Sequence, residues 1–369
     1  MNNLTQKRFE QMFGSKDSAV MNSAAMSPED QALMEFLQDS QPKIYVVGAG
    51  GSGCNTLNRL REVGVTAGIT VAMNTDAQHL LRIGAEKKVL LGKKKTRGLG
   101  AGSNPEVGQA SAEESEAEIK EVLKDADLVF ITCGEGGGTG TGSAPVIARA
   151  AKGNGALVVG VVTLPFSSEG TKRMRNALEG LEKLKKEADT VIAIPNDKLL
   201  YFVPDLPLNA AFKTADLVLC NAVKGITELI TKPGLVNLDF ADVRTILERG
   251  GTAMIGLGEV TKADQTNRVV AAAEKALSSP LLDLDVSEAD KALINITGGS
   301  DMTIGEAEAA VNAISSKMAK DSHVIWGATV DDAMENHAVR VLAVLSGIRS
   351  SAKPKQPGQT PEELNVDFI

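Results

Sequence analysis

Between the buried-type strand DLVFITC (127–133) and the apolar run SAPVIA, the chain places GEGGGTGTG, with six glycines in the nine positions 134–142. A flexible linker does not sit between a buried strand and a helix. Glycines in such a place let successive backbone N–H groups turn toward an anion, and the dipole of the helix expected near Ala144 and Pro145 reinforces them. Thr139 and Thr141 add hydroxyl donors. The stretch reads as a cradle.

A second glycine loop, GAGGSG (48–53), follows the strand KIYVV (43–47) and satisfies GxGxxG. Asp76, just past the strand ITVAMN (69–74), has the spacing of a ribose-binding acid. Taken alone, this half of the chain favours a dinucleotide fold, and a tight turn without ligand is its bland alternative. A third loop, GLGAGSNP (98–105), supplies further amides. No GxxxxGK followed by Ser or Thr occurs, so an ordinary P-loop is excluded. Phosphate binding must rest on backbone amides, helix N-termini and hydroxyls.

Around these loops, Val/Ile-rich strands alternate with helical patterns, which predicts a parallel sheet covered on both faces. Further strands are expected at 156–165 and 190–196, with helices at 112–123 and 172–186. From Leu208 to Ile230, apolar residues keep a helical period for over six turns, so this helix should be buried between two bodies. A second α/β region follows, with strands expected at 253–259, 292–298, 323–330 and 339–348. Ser27 and Pro28 mark a helix start after a loose arm. The last stretch, SSAKPKQPGQTPEELNVDFI, reads as a linker ending in an acidic and apolar tag.

A length of 369 residues with 43% hydrophobic residues allows two domains with proper cores. The net charge of -8 argues against a broad nucleic-acid footprint. The three cysteines, Cys54, Cys133 and Cys220, are far apart and suggest neither a disulfide framework nor a zinc site. No signal peptide or transmembrane run is evident, and a cytoplasmic protein is expected.

GEGGGTGTGSAP resembles the tubulin-type signature. NTDAQHL (74–80), TRGLGAGSNPEVG (96–108), PFSSEGTKRMRNA (165–177), IPNDKLL (194–200) and NLDFADVR (237–244) occur in the order seen in the FtsZ family of prokaryotic cell-division GTPases. The resemblance spans about residues 28–349 and is greatest to archaeal members. It implies a tubulin/FtsZ-like α/β fold: a Rossmann-like GTPase domain with a parallel sheet, a long central helix and a smaller α/β C-terminal domain. The expected division is an arm and short helix at 1–42, a GTP-binding domain at 43–206, the central helix at 207–232, the C-terminal domain at 233–349 and a flexible tail at 350–369.

Carried onto this sequence, the resemblance implies that Gly50, Gly51, Ser52, Gly53, Cys54 and Asn55, together with Gly136, Gly137, Gly138, Thr139, Gly140 and Thr141, hold the GTP or GDP phosphates. Ala101, Gly102, Ser103 and Asn104 assist them, and Asn196 is a further contact. Glu169 and Arg173 match nucleotide-contacting residues, although four residues apart on a helix they read equally as an ion pair. Phe212 and Asp216 lie one turn apart on the long helix. A ring there can stack on a purine while the carboxylate accepts from guanine N1–H and the exocyclic amine, which would select guanine over adenine. By composition alone they are a core ring and a solvated acid.

Asp239 and Asp242, with Asn237, form the implied catalytic segment. Read locally, the two acids favour a helix N-terminus. In the family such a segment enters the nucleotide pocket of the next subunit in a head-to-tail polymer and positions the attacking water. Mg²⁺ is expected with the nucleotide, and the tail implies an adaptor of the SepF type at a midcell division ring. Three positions depart from the family pattern: Glu135 stands where an apolar residue is expected, and Ser52 and Cys54 hold positions often Gly, Ala or Asn. Glu135 is expected to point away from the phosphates, to solvent or a subunit interface. The competing readings are an NAD-dependent oxidoreductase built on GAGGSG and a nucleotide-bound filament scaffold without hydrolysis.

Overall fold

The computed structural model describes residues 41–64, 68–199, 208–231, 234–236, 238–261, 267–279, 281–282, 286–331, 334–335 and 337–347. The helix expected after Ser27, the tail and Asn237 lie outside the described residues.

Ten strands, β1 (Ile44–Ala49), β2 (Ile69–Asn74), β3 (Lys87–Leu90), β4 (Leu128–Gly134), β5 (Leu157–Leu164), β6 (Thr190–Pro195), β7 (Gly251–Val260), β8 (Lys291–Gly298), β9 (His323–Val330) and β10 (Val339–Ser346), form one sheet among the described residues. Its order is β3-β2-β1-β4-β5-β6-β7-β10-β8-β9. From β3 to β6 every pairing is parallel. That stretch has the doubly wound order, whose direction of winding reverses between β1 and β4. β7 joins the two halves of the sheet. Gly251–Ala253 run parallel to Thr190–Ile192 of β6, and Met254–Val260 run antiparallel to β10.

The helices are α1 (Gly50–Glu62), α2 (Ala77–Arg82), α3 (Pro105–Glu114), α4 (Glu116–Val122), α5 (Thr139–Gly153), α6 (Thr171–Glu187), α7 (Asn196–Leu199), α8 (Leu208–Thr231), α9 (Phe240–Leu247), α10 (Arg268–Leu277) and α11 (Ile304–Ser315). Alternation along each strand sends residues to both faces. On β1, Ile44 and Val46 join a core with Leu57 and Leu60 of α1 and with Leu219, Val223 and Ile226 of α8. Tyr45 and Val47 join the opposite core, with Val146, Ile147 and Ala151 of α5.

As the periodicity predicts, α8 is a single helix, of 24 residues and about 36 Å. Its apolar face shares one core with Leu128 and Phe130 of β4 and with Leu293 and Val344 of β8 and β10. The helix therefore packs against both halves of the sheet.

Three local expectations differ from the structure. The helix expected at 112–123 is two, α3 and α4, broken at Ser115, whose hydroxyl accepts a hydrogen bond from Gly92 N at 3.0 Å. β3 was not anticipated, because KKVL at the sheet edge has only one fully buried residue and so lacks a core-strand pattern. α5 starts at Thr139, inside the glycine stretch, and not near Ala144.

Candidate functional site

The glycine loops after β1 and β4 meet in the crevice at the carboxyl ends of the strands, where the winding reverses. This is where open α/β sheets bind ligands. A groove of about 250 Å³ opens there, lined by Ala49, Gly51 and Ser52 from the first loop and by Gly134, Glu135 and Gly137–Gly140 from the second. Thr163 and Pro165 at the end of β5, Glu169, Arg173, Asn196, Phe212, Ala215 and Asp216 complete the wall.

One end of the groove is built for an anion. α1 and α5 both begin in it, and neither N-cap, Ala49 or Gly138, makes a side-chain capping bond. Neither first turn contains an acid. Asp76 caps α2, Asn104 caps α3 and Thr303 caps α11; α4, α6 and α10 also start without a side-chain cap, but α1 and α5 are the pair whose starts meet in the groove. The first-turn N–H groups of α1 and α5, with two positive dipole ends behind them, are left to a ligand. Close backbone approach requires glycine. Gly50 has φ +72°, and a Cβ on it would stand 2.7 Å from Gly140 N. Thr139 is held by a hydroxyl–hydroxyl bond of 2.6 Å to Thr75.

The other end can read a base. Phe212 on α8 is 39% exposed and meets Phe166 edge to face, with ring centroids 5.2 Å apart. Asp216, one turn on, accepts a bond of 3.3 Å from Thr56 Oγ1. Burial raises its carboxyl to about 6, with the Thr56 hydroxyl and the Arg59 charge opposing the rise. Asn196 is 4% exposed, and its Oδ1 has no hydrogen-bond partner. Between the two ends, Arg173 and Glu169 form an ion pair at 2.8 Å, and Glu169 Oε1 also accepts from Phe166 N. The ion-pair reading of this spacing and its place in the groove therefore hold together.

Several expected contacts stand behind the groove and do not line it. Gly53 packs on the Thr132 carbonyl, and Cys54 is wholly buried with its thiol pushed up to about 12 by that burial. Asn55 Oδ1 lies 3.2 Å from His79 Nε2. Gly136 N donates to Thr141 Oγ1 at 2.8 Å. Asp76 does not reach the groove: its carboxylate accepts from His79 N at 3.0 Å, so helix capping takes up the acid whose spacing suggested a ribose ligand. Ala101 and Asn104 back the second loop, since a Cβ on Gly138 would come 2.8 Å from Asn104 N and 2.9 Å from Ala101 Cβ, whereas Gly102 and Ser103 are exposed and do not line the groove.

Glu135 corrects an expectation. Its side chain faces neither solvent nor a free surface, being 2% exposed and packed beneath Gly180 of α6. Sequence reasoning also missed Ala49, Thr163, Pro165 and Ala215; the first three end parallel strands, a position that could have flagged them.

Asp239 and Asp242 are not in this groove. Asp242 N donates to Asp239 Oδ1 at 2.8 Å and Asp239 N to Asp242 Oδ2 at 3.2 Å, a reciprocal cap at the start of α9. Among the described residues, no group of three or more His, Cys, Asp or Glu could hold a metal ion. No helix among them is long and apolar enough to cross a membrane.

The GTPase-domain model of the tubulin/FtsZ family matches residues 43–204, and the C-terminal-domain model of the FtsZ family matches residues 251–349. Cell division protein FtsZ 1 of Methanocaldococcus jannaschii is 53% identical over 348 residues, 94% of each chain. Cell division protein FtsZ 1 of Thermococcus kodakarensis is 56% identical over 87% of this chain and 85% of its own. The solved FtsZ dimer of M. jannaschii superposes with a TM-score of 0.83 at 55% identity, covering 88% of this chain and 94% of that one. Nothing among these relatives supports an oxidoreductase. A glycine-lined anion cradle at the switch point of a doubly wound sheet, joined by a long helix to a second α/β half, thus has its counterpart in them: the chain belongs to the tubulin/FtsZ family, as one of its filament-forming cell-division GTPases.

Proposed function

We propose that the groove binds GTP and GDP with the phosphates on the N-termini of α1 and α5, the purine against Phe212 and guanine N–H donors on Asp216. In this reading the site hydrolyses GTP only when Asp239 and Asp242 of a neighbouring subunit enter it. The observation that carries it is the division of labour. Of the acids in the groove wall, Glu169 is paired with Arg173, Asp216 is assigned to the base and Glu135 has its carboxyl buried beneath α6, so none stands free at the phosphate end, whereas the two capping acids of α9 stand outside the groove. A site whose water-positioning groups come from another copy ties turnover to head-to-tail assembly, and such heterologous contacts build filaments.

Mg²⁺ would be carried mainly on phosphate oxygens and waters, since it takes oxygen ligands and the groove wall adds the hydroxyls of Ser52, Thr139 and Thr163. When bound it would neutralise developing phosphate charge. The tail at 350–369 is the proposed contact for an adaptor of the SepF type, and the division ring at midcell the proposed location.

The test is complementation. Asp242→Ala and a groove variant, Gly138→Ala, are each assayed alone and then mixed. Mixing restores roughly one active interface in four, pairing an intact groove with intact acids from the other chain. If the mixture stays as inactive as its components, the acids serve their own subunit and the shared site is wrong.

A further inference from the structure

We propose that Glu135 is a positioning residue of the phosphate loop and that it links guanine-nucleotide binding to uptake of a proton. The inference rests on the groove being the nucleotide site, and it concerns the one acid set inside the glycine stretch.

The geometry is that of a carboxyl group held in place and left without a charge partner. Its own N–H donates to Thr163 O at 2.8 Å, which fixes the main chain at the end of β5. Oε1 accepts from the Cys133 thiol at 3.5 Å, and Oε2 is buried with no hydrogen-bond partner. A Cβ on Gly180 would stand 2.5 Å from that oxygen, so α6 closes over it because residue 180 is glycine. Thr141, packed against the same carboxyl and against Gly180, accepts the Gly136 N–H, so the acid props up the residue that shapes the loop.

The groups facing this acid do little for its ionised form. β4 contributes the Cys133 thiol, which burial keeps protonated by raising it well above its ordinary value. α5 contributes the Thr141 hydroxyl, and α6 contributes Gly180. Arg173, on the same helix, is paired with Glu169, and Asp216 of α8 lies along the groove. Burial raises Glu135 from 4.5 to about 7, with the Thr141 and Cys133 side chains opposing the rise.

Glu135 also lines the groove between Gly134 and Gly137, beside the place for phosphates. A bound polyanion disfavours a second negative charge next to it, so the carboxyl holds its proton more tightly in the complex. By linkage, nucleotide binding then takes up a proton wherever the free protein has lost it, and affinity falls as pH rises above about 7.

The experiment uses GDP, which is not turned over. Its Kd is measured from pH 6 to 8.5 for the wild type, Glu135→Gln and Glu135→Met. Proton uptake is measured at pH 7.5–8 by calorimetry in two buffers of different ionisation enthalpy. The wild-type affinity is expected to fall by up to about tenfold per pH unit above the midpoint, while both variants flatten that limb and take up no proton. Equal profiles for wild type and variants overturn the proposal, as does a wild-type protein that binds GDP without proton uptake. The uptake is read on the unaltered chain, so a variant that fails to fold does not shield the inference. A wild type that binds no GDP at any pH would overturn the nucleotide site itself, a separate failure.

Discussion

Asp239 and Asp242 close a reciprocal cap, each carboxylate accepting the other's backbone N–H at 2.8 and 3.2 Å. The pair therefore has a structural role before any chemistry, and substitutions must separate the two. Asp239→Ala removes the N-cap oxygen and is expected to cost about 1 kcal/mol, whereas Asp239→Asn keeps an acceptor and costs little. If the acids act on a neighbour's nucleotide, both variants lose most GTP turnover while GDP affinity stays near wild type. GTPase assays beside thermal unfolding check this. Turnover that tracks the lost stability, with Asn fully active, would leave the acids as a cap only.

If the proposed roles hold, Asp216 and Glu135 bound the working pH from opposite sides. In the proposed reading Asp216 accepts from both guanine donors only as the carboxylate, and burial sets its loss of a proton at about 6, so guanine affinity is expected to fall as pH drops below that value. The acid limb should disappear in Asp216→Asn, together with much of the preference for GDP over ADP. Competition binding at pH 5.5 and 7.5 measures both. An acid limb that persists in the Asn variant would assign it to another group.

Stability gives an independent reading of Glu135. Its folded-state value, about 7, lies above its ordinary 4.5, so the folded chain holds a proton that the unfolded chain releases between those values. The favourable contribution is full below pH 4.5 and is lost as pH rises toward 7; the whole shift corresponds to roughly 3 kcal/mol. Glu135→Gln and Glu135→Met should be more stable than wild type at pH 8, and the advantage should shrink at pH 5. Denaturation midpoints without nucleotide test it. An advantage equal at both pH values would mean that the side chain does not titrate in this range.

The strand–loop–helix punctuation was readable because glycine runs between apolar strands and helical patterns have few structural solutions. β1, β2, β4, β5 and α8 follow from it, and so does the cradle. What stayed hidden depends on three-dimensional convergence. Asp76 has the spacing of a ribose ligand, but its carboxylate finds His79 N first. Glu135 looks exposed as a charged letter among glycines, until α6 lays Gly180 over it. Thr163, Pro165 and Ala215 reach the groove only because β5 and α8 end or pass beside it. A sequence shows periodicity within an element, and these placements are decided between elements.

Gly138 tests the cradle without touching a charge. Its missing Cβ lets the second loop rest on the third, with Asn104 N and Ala101 Cβ at 2.8 and 2.9 Å from where that atom would be. Real Cβ atoms avoid such distances to backbone, so Gly138→Ala must displace either the 101–104 loop or the start of α5. Asn104 caps α3 through Glu106 N, which stiffens the first option and favours moving the α5 terminus. The first-turn amides of α5, proposed to hold the phosphates, then shift out of line, and hydrogen bonds weaken steeply when misaligned. GDP affinity is expected to fall by at least tenfold, with the unfolding midpoint changed far less, since neither loop contributes a side chain to the apolar cores that hold the sheet. Gly153→Ala, at the far end of α5 and outside the groove, is the control: a Cβ there meets nothing within 4 Å. A Gly138→Ala variant that binds GDP as tightly as this control would mean that contact between the two loops does not set the geometry of the cradle.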